Sequence, residues 1–233
     1  MTQEKKTKSF PDFSEDDFIP SGDIENHEFV DLGLPSGLKW ATYNIGASSP
    51  EGYGDYFAWG ETAPKDSYDF DSYVFANPNN GHDPEYYLMN AYNEDDGLIE
   101  LLPEDDAAVT NWKGPWRIPS IEDFQELIDK CEWTWGIYNG TAGFKVKGPN
   151  GSSIFLPAAS TMEDSDTWTL GKDGAYWSLC LDDEGYEFDA VSGYWDSFCA
   201  QSLNFEENGP ECAHRFRELG NPIRPVCIIK NDN

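Results

Sequence analysis

Trp112-Lys113-Gly114-Pro115-Trp116-Arg117-Ile118-Pro119-Ser120, running straight into Ile121-Glu122-Asp123-Phe124-Gln125-Glu126-Leu127-Ile128, is the stretch from which the fold is read. A loop packed with rigid aromatics stops at a helix start signal. Ser120 is a good N-cap, because its hydroxyl accepts one of the free N–H groups of the first turn. Asp123, three residues on, supplies a short version of the capping box, with Asp where Glu or Gln is usual. Phe124, Leu127, Ile128 and Cys131 fall at i, i+3, i+4 and i+7, so the spacing predicts one amphipathic helix over about 121–131. No other segment carries a comparable helix signal. Short strands and long loops are therefore expected to make up the rest, which is an α+β arrangement.

Working outward, the clearest hairpin follows the helix. Gly143-Phe144-Lys145-Val146-Lys147 and Ser152-Ser153-Ile154-Phe155-Leu156 flank Gly148-Pro149-Asn150-Gly151. Proline presets φ at the first central turn position, and Asn-Gly tolerates positive φ after it. Phe144 and Val146 share one face of a strand, as do Ile154 and Leu156. Tyr176-Trp177-Ser178, Ala200–Phe205 and Ile223–Cys227 read as three further short strands, separated by irregular loops of about 20 residues, a length that is usually functional or disordered. Upstream, Phe29-Val30-Asp31-Leu32 and Leu38-Lys39-Trp40-Ala41-Thr42 flank a tight connection at Gly33–Gly37. Tyr53–Gly60 reads as a short buried strand, and 61–108 as a long excursion partly ordered by Tyr68, Tyr73, Phe75, Tyr86 and Tyr87. Residues 1–26 read as a flexible polar tail whose Phe10, Phe13 and Phe18 are available to dock. The single domain is expected over 27–229.

Composition narrows the function. The chain has 233 residues, 39% of them hydrophobic and 15% aromatic, enough for one packed core. No apolar run approaches the roughly 18 residues a membrane helix needs, and the N-terminal lysines have no apolar segment behind them to make a secretory signal. A net charge of −29 repels phosphate backbones and anionic lipid, so neither a nucleic-acid partner nor direct membrane insertion is expected. The acidic clusters Glu94-Asp95-Asp96, Glu104-Asp105-Asp106 and Asp182-Asp183-Glu184 lack the spacing of a calcium loop and read as solvated loops. Five cysteines (Cys131, Cys180, Cys199, Cys212, Cys227) form no C-x-x-C pair, so zinc is not expected and free thiols are the default. A Cys180–Cys199 or Cys199–Cys212 bridge is the alternative in an oxidising compartment.

Val30-Asp31-Leu32-Gly33-Leu34-Pro35-Ser36-Gly37-Leu38-Lys39-Trp40-Ala41-Thr42, Asn44-Ile45-Gly46-Ala47, Tyr53-Gly54-Asp55-Tyr56-Phe57-Ala58-Trp59-Gly60-Glu61-Thr62, Trp116-Arg117-Ile118-Pro119-Ser120, Ile154-Phe155-Leu156-Pro157-Ala158-Ala159, Tyr176-Trp177-Ser178 and Ile223-Arg224-Pro225-Val226 occur in this order over about 28–228. Together they resemble the Fibrobacter succinogenes major paralogous domain, a family abundant in Bacteroidetes. That family is similar in turn to C-type-lectin-like and formylglycine-generating-enzyme-like domains. The resemblance implies a C-type-lectin-like α+β domain with short antiparallel strands, one helix and long irregular loops. It also implies a cell-surface binding or adhesion role where an export segment precedes the chain. Segment 160–199 is longer and more acidic than the glycine- and serine-rich loop of relatives.

In such folds the ligand surface is built from loops late in the chain. Here these carry Tyr186, Phe188, Tyr194, Trp195, Asp196, Phe198, His214, Arg215, Phe216 and Arg217. Aromatic rings interspersed with arginine and aspartate suit recognition of a glycan or a protein. Trp116, Arg117, Ser120, Trp177 and Arg224 are expected to be structural, with Arg224 paired to a carboxylate inside the fold. One alternative is a variable ligand-binding protein of a diversity-generating retroelement, mutable over about 176–227. Another is a formylglycine-generating-type enzyme, with Cys199 and Cys212 holding Cu(I). His27, His82 and His214 make no recognisable catalytic motif, and no carboxylate pair stands out as a glycosidase centre. The motifs of calcium-dependent lectins are missing. The reading is a non-catalytic module with no cofactor and no metal.

Overall fold

The computed structural model describes residues 9–76, 89–93, 96–167, 169–182 and 198–229. In chain order these hold β1 (Gly22–Ile24), β2 (His27–Asp31), β3 (Lys39–Ala41), α1 (Ala107–Trp112), α2 (Ile121–Lys130), β4 (Glu132–Tyr138), β5 (Thr141–Lys147) and β6 (Ser153–Pro157). There follow the short pair β7 (Met162–Glu163) and β8 (Asp166–Thr167), then β9 (Asp173–Leu181), β10 (Cys199–Glu206), β11 (Gly209–Phe216) and β12 (Val226–Cys227). Antiparallel sheets dominate, and helix, short 3-10 turns included, accounts for 12% of the described residues. The sheets run β1-β2-β3-β12, β4-β5-β6, β11-β10-β9 and β7-β8.

Helix α2 forms where the N-cap placed it. Ser120 Oγ accepts from Asp123 N–H, and the Asp123 carboxylate accepts from Ser120 N–H, so the reciprocal box closes with aspartate. Phe124 and Leu127 are fully buried, and the helix lies against β9, β10 and β11. The expected hairpin forms as β5–β6, with Phe144 opposite Leu156 and Val146 opposite Ile154, so that all four share one face. These four residues, with Trp40, Tyr176, Leu203 and Phe205, fill one hydrophobic cluster; a second gathers around Trp59, Trp116 and Trp177.

Several expectations change. A second helix, α1, is capped by Asp106, whose carboxylate accepts from the N–H groups of Ala108, Val109 and Ile118. The acid read as part of a solvated cluster is instead a buried cap, and burial raises its pKa above the ordinary carboxylate value. Tyr53–Gly60 is buried at Phe57–Trp59 but forms no strand. It makes only an isolated bridge from Phe57 to Asn221, because Gly54 and Gly60 take positive φ of 77° and 79° and turn the chain. Residues 9–26 are packed against the domain. Phe13 N–H donates to Ile137 O at 2.7 Å, Phe18 is buried against Tyr138 and Phe155, and β1 joins the first sheet. The docking of those phenylalanines prevails over the flexible-tail reading from residue 9 onward, and the domain extends N-terminal of His27.

Besides β1 and the short pair β7–β8, two longer strands were not foreseen. β4 pairs with β5 across the two-residue turn Asn139-Gly140, both at positive φ (47° and 85°), the conformation that type I′ hairpins require. β11 pairs with β10 from Glu206–Gly209 to Cys199–Phe216 and forms the edge of its sheet. Arg224 has no carboxylate partner among the described residues, where a pairing to one was expected. Its Nε donates to Asn44 Oδ1 at 2.8 Å and its Nη2 to Phe155 O at 2.9 Å, while Nη1 lies 3.3–3.4 Å from the carbonyls of Ala41 and Thr42. Full burial without a counter-charge lowers its pKa to about 10.

Candidate functional site

The sheet β11-β10-β9 has two unlike faces. Directly opposed residues share a face. Leu203, opposite both Tyr176 and Cys212, points with Phe205 into the cluster beneath helix α2. On the other face Asn204 stands opposite Glu211, and Glu206 stands opposite Asp173 and Gly209. Farther along, this second face is sealed by Trp177 and Ala200, while toward the Glu207-Asn208 turn it is open.

The open part is a cleft of about 360 Å³ whose walls include Asp173, Asn204, Glu206, Glu211 and Arg215. Gly174 sits in its floor because a Cβ there would come 2.2 Å from the Phe205 ring. Two polar atoms in its wall are shielded from solvent and have no hydrogen-bond partner among the described residues: Arg215 Nε, a donor, and Asp173 Oδ1, an acceptor. A buried polar group left unsatisfied costs about 1–3 kcal/mol. Native folds rarely leave such groups unpaired, so a water or a ligand group entering this wall has a donor and an acceptor to satisfy. A second cavity of about 580 Å³ shares Asp173 and Glu206 with the first and is walled by Trp135, Phe10 and Ile137.

The ligand residues expected from sequence separate into three groups. Tyr186, Phe188, Tyr194, Trp195 and Asp196 lie outside the described residues. His214, Arg215 and Phe216 are on edge strand β11, not in a loop; His214 and Phe216 are exposed, Phe216 at 56%. His214 Nδ1 lies 3.1 Å from Asp182 Oδ2, an ion pair only when the imidazole is protonated. Phe198 is half-buried against the cluster of Ala58, Tyr68 and Tyr73.

Arg217 departs from the expected role altogether: it is fully enclosed. Its Nε donates to Tyr73 Oη at 3.1 Å and its Nη atoms to the carbonyls of Tyr92 and Ala91, and the guanidinium lies 4.8 Å from the Trp59 ring centroid. The strand alternation that turns Phe216 outward turns Arg217 inward.

The residues expected to be structural are in the frame. Trp177 Nε1 donates to Phe57 O at 2.7 Å and Trp59 Nε1 to Ser178 O at 2.9 Å, stitching the irregular segment 57–59 onto β9. Trp116 Nε1 donates to Ile24 O, and Arg117 pairs with Asp123 at 2.7 Å, bracing the capping box. Cys131, Cys180, Cys212 and Cys227 are thiols, so neither proposed disulfide forms. Burial raises Cys180 and Cys227 to about 11 and Cys131 to about 12, which keeps these sulfurs protonated and unreactive. Cys212 is opposite Leu203 and Cys199 is opposite Phe216. The two are thus four positions apart along the ladder, roughly 13 Å, too far to share one ion.

Asp173, Asn204, Glu206 and Trp135 were missed in the sequence. Alternation from Trp133 to Tyr138 was the available signal for Trp135; the acids and the amide carry none, because only strand pairing brings them together.

Comparison of the sequence with known protein families and with curated proteins, and of the fold with solved structures, found no match.

Proposed function

We propose that this chain is a non-catalytic recognition module of C-type-lectin-like architecture, reading a glycan or protein ligand at the β11 end of its last sheet. The observation that carries the reading is the cleft with a solvent-shielded donor, Arg215 Nε, and acceptor, Asp173 Oδ1, both lacking partners. These are set on strands, which hold side chains more precisely than loops. The exposed Phe216 and His214 alternate with Arg215 along the same edge strand and turn to the other face of the sheet, so a ligand that wraps the β11 edge meets an aromatic ring and an imidazole there. The ladder spacing of Cys199 and Cys212, with burial raising the Cys212 thiol above its ordinary pKa, weighs against copper–thiolate chemistry at that pair.

A combined glycan and peptide array, probed with the wild-type chain and with Arg215→Ala and Phe216→Ala, tests the reading. Binding to at least one ligand class that both substitutions weaken supports it. An empty array, or binding indifferent to both substitutions, sinks it.

A further inference from the structure

We infer that the polar cleft and the aromatic-walled cavity beside it form one groove for a neutral glycan chain, with a sugar ring on Trp135 and hydroxyls bridged between Asp173 and Arg215. The inference rests on the recognition reading and names the ligand class of that site. Both cavities border Asp173 and Glu206, so the two adjoin at these carboxylates. Their volumes, about 360 and 580 Å³, each fall in the range of small-ligand sites, roughly 300–1,000 Å³.

The two halves differ in chemistry in the way a sugar does. A pyranose presents an apolar C–H face and a rim of hydroxyls. Trp135 is only half-buried, yet it is held edge-on by Phe144 and Phe205, with ring centroids 5.1 and 6.3 Å away, so one aromatic surface is fixed and partly open to solvent. Each sugar hydroxyl is at once a donor and an acceptor. One hydroxyl can therefore donate to the Asp173 carboxylate while a neighbouring one accepts from the Arg215 guanidinium, since both side chains line the cleft. Asn204 Oδ1 already accepts from Ser202 Oγ at 3.1 Å, which orients its amide nitrogen for a further acceptor.

The charge of the walls selects among glycans. Asp173, Glu206, Glu207 and Glu211 outnumber the cations Lys172 and Arg215 along the groove, so a uronate, sulfate or sialate would meet a net like charge and be disfavoured against a neutral sugar. A peptide strand added to the β11 edge would leave the cleft on the open face unfilled, so it is the competing outcome and not the favoured one.

Affinity electrophoresis in gels containing mannan, xylan, mixed-linkage glucan or dextran, and in dextran sulfate as the anionic control, tests the inference. The expected result is retardation in at least one neutral polysaccharide and none in dextran sulfate. Asp173→Asn and Trp135→Ala should each weaken the retained interaction about tenfold or more. Trp135→Phe, which keeps an aromatic ring, should weaken it less and controls for loss of fold, with each variant's melting temperature measured alongside. Free migration in every neutral gel, or retention unchanged in Asp173→Asn, overturns the glycan assignment. If the gels are empty while peptides bind the array through Arg215 and Phe216, the glycan inference falls and the recognition reading stands. If gels and array are both empty, both fall.

Discussion

The interior around Arg217 and Arg224 and the cleft around Arg215 treat the same side chain in opposite ways. In the interior each guanidinium is fully buried and each nitrogen is aimed at a carbonyl, an amide or a phenol oxygen. Arg224 has no carboxylate partner among the described residues. A desolvated cation is expensive, and dense hydrogen bonding to backbone dipoles is what makes it tolerable. In return each one ties together distant segments: Arg224 joins β6 to the connection after β3, and Arg217 joins β11 to the segment around Tyr92. In the cleft, Arg215 is half-buried and its Nε has no partner among the described residues. Satisfied arginines hold the frame, and the unsatisfied one faces the groove.

The contrast can be broken by substitution. Arg224→Met should show the largest effect. It strands the buried acceptors Phe155 O and Asn44 Oδ1, at about 1–3 kcal/mol each, so urea denaturation should give a loss on the order of 3–5 kcal/mol. A loss below 1 kcal/mol would mean these bonds do not hold the fold. Trp177→Phe removes the bond to Phe57 O and part of the ring, for an expected loss of about 1–3 kcal/mol in the same assay. Ser120→Ala opens the capping box and should cost about 1 kcal/mol.

Glu218 sharpens the comparison from the acidic side. Burial raises its pKa above the ordinary 4.5, and its Oε2 has no hydrogen-bond partner among the described residues. Its folded-state pKa exceeds the unfolded one, so the folded state holds the proton more tightly. Stability contributed by the protonated form is present at low pH and declines as pH rises from about 4.5 through the folded value. Glu218→Gln should be more stable than wild type at neutral pH, with the difference disappearing below pH 4; a variant less stable at neutral pH would mean the carboxylate has a partner in solution. The smallest stability effect is expected for Arg215→Ala, within about 0.5 kcal/mol of wild type, since no bond is lost.

What was legible in the sequence was local. The capping box at Ser120, the stripe through Phe124 and Leu127, and the Gly148–Gly151 turn each specify structure within about ten residues, and each formed as read. Strand β4 was missed although Asn139-Gly140 is a strong turn signal, because its two tryptophans and one tyrosine alternate with residues of mixed polarity. Strand β11 was missed for a deeper reason. As an edge strand it buries few side chains, so it lacks the apolar alternation that marks an inner strand. The cleft depends on that strand: Asp173, Asn204, Glu206 and Arg215 come from three strands and meet only through register. Arg217 and Arg224 were equally opaque, since a buried cation held by carbonyls looks in sequence like any other arginine.

Hydrogen–deuterium exchange on the wild-type chain, with and without the tightest-binding compound from the glycan and peptide array, tests the central claim most directly. The account requires added protection in β11, at the Glu207-Asn208 turn and at the start of β9, with α2 and the β5–β6 hairpin unchanged. Protection confined to other surfaces, such as the first sheet or the α1 end, would contradict it.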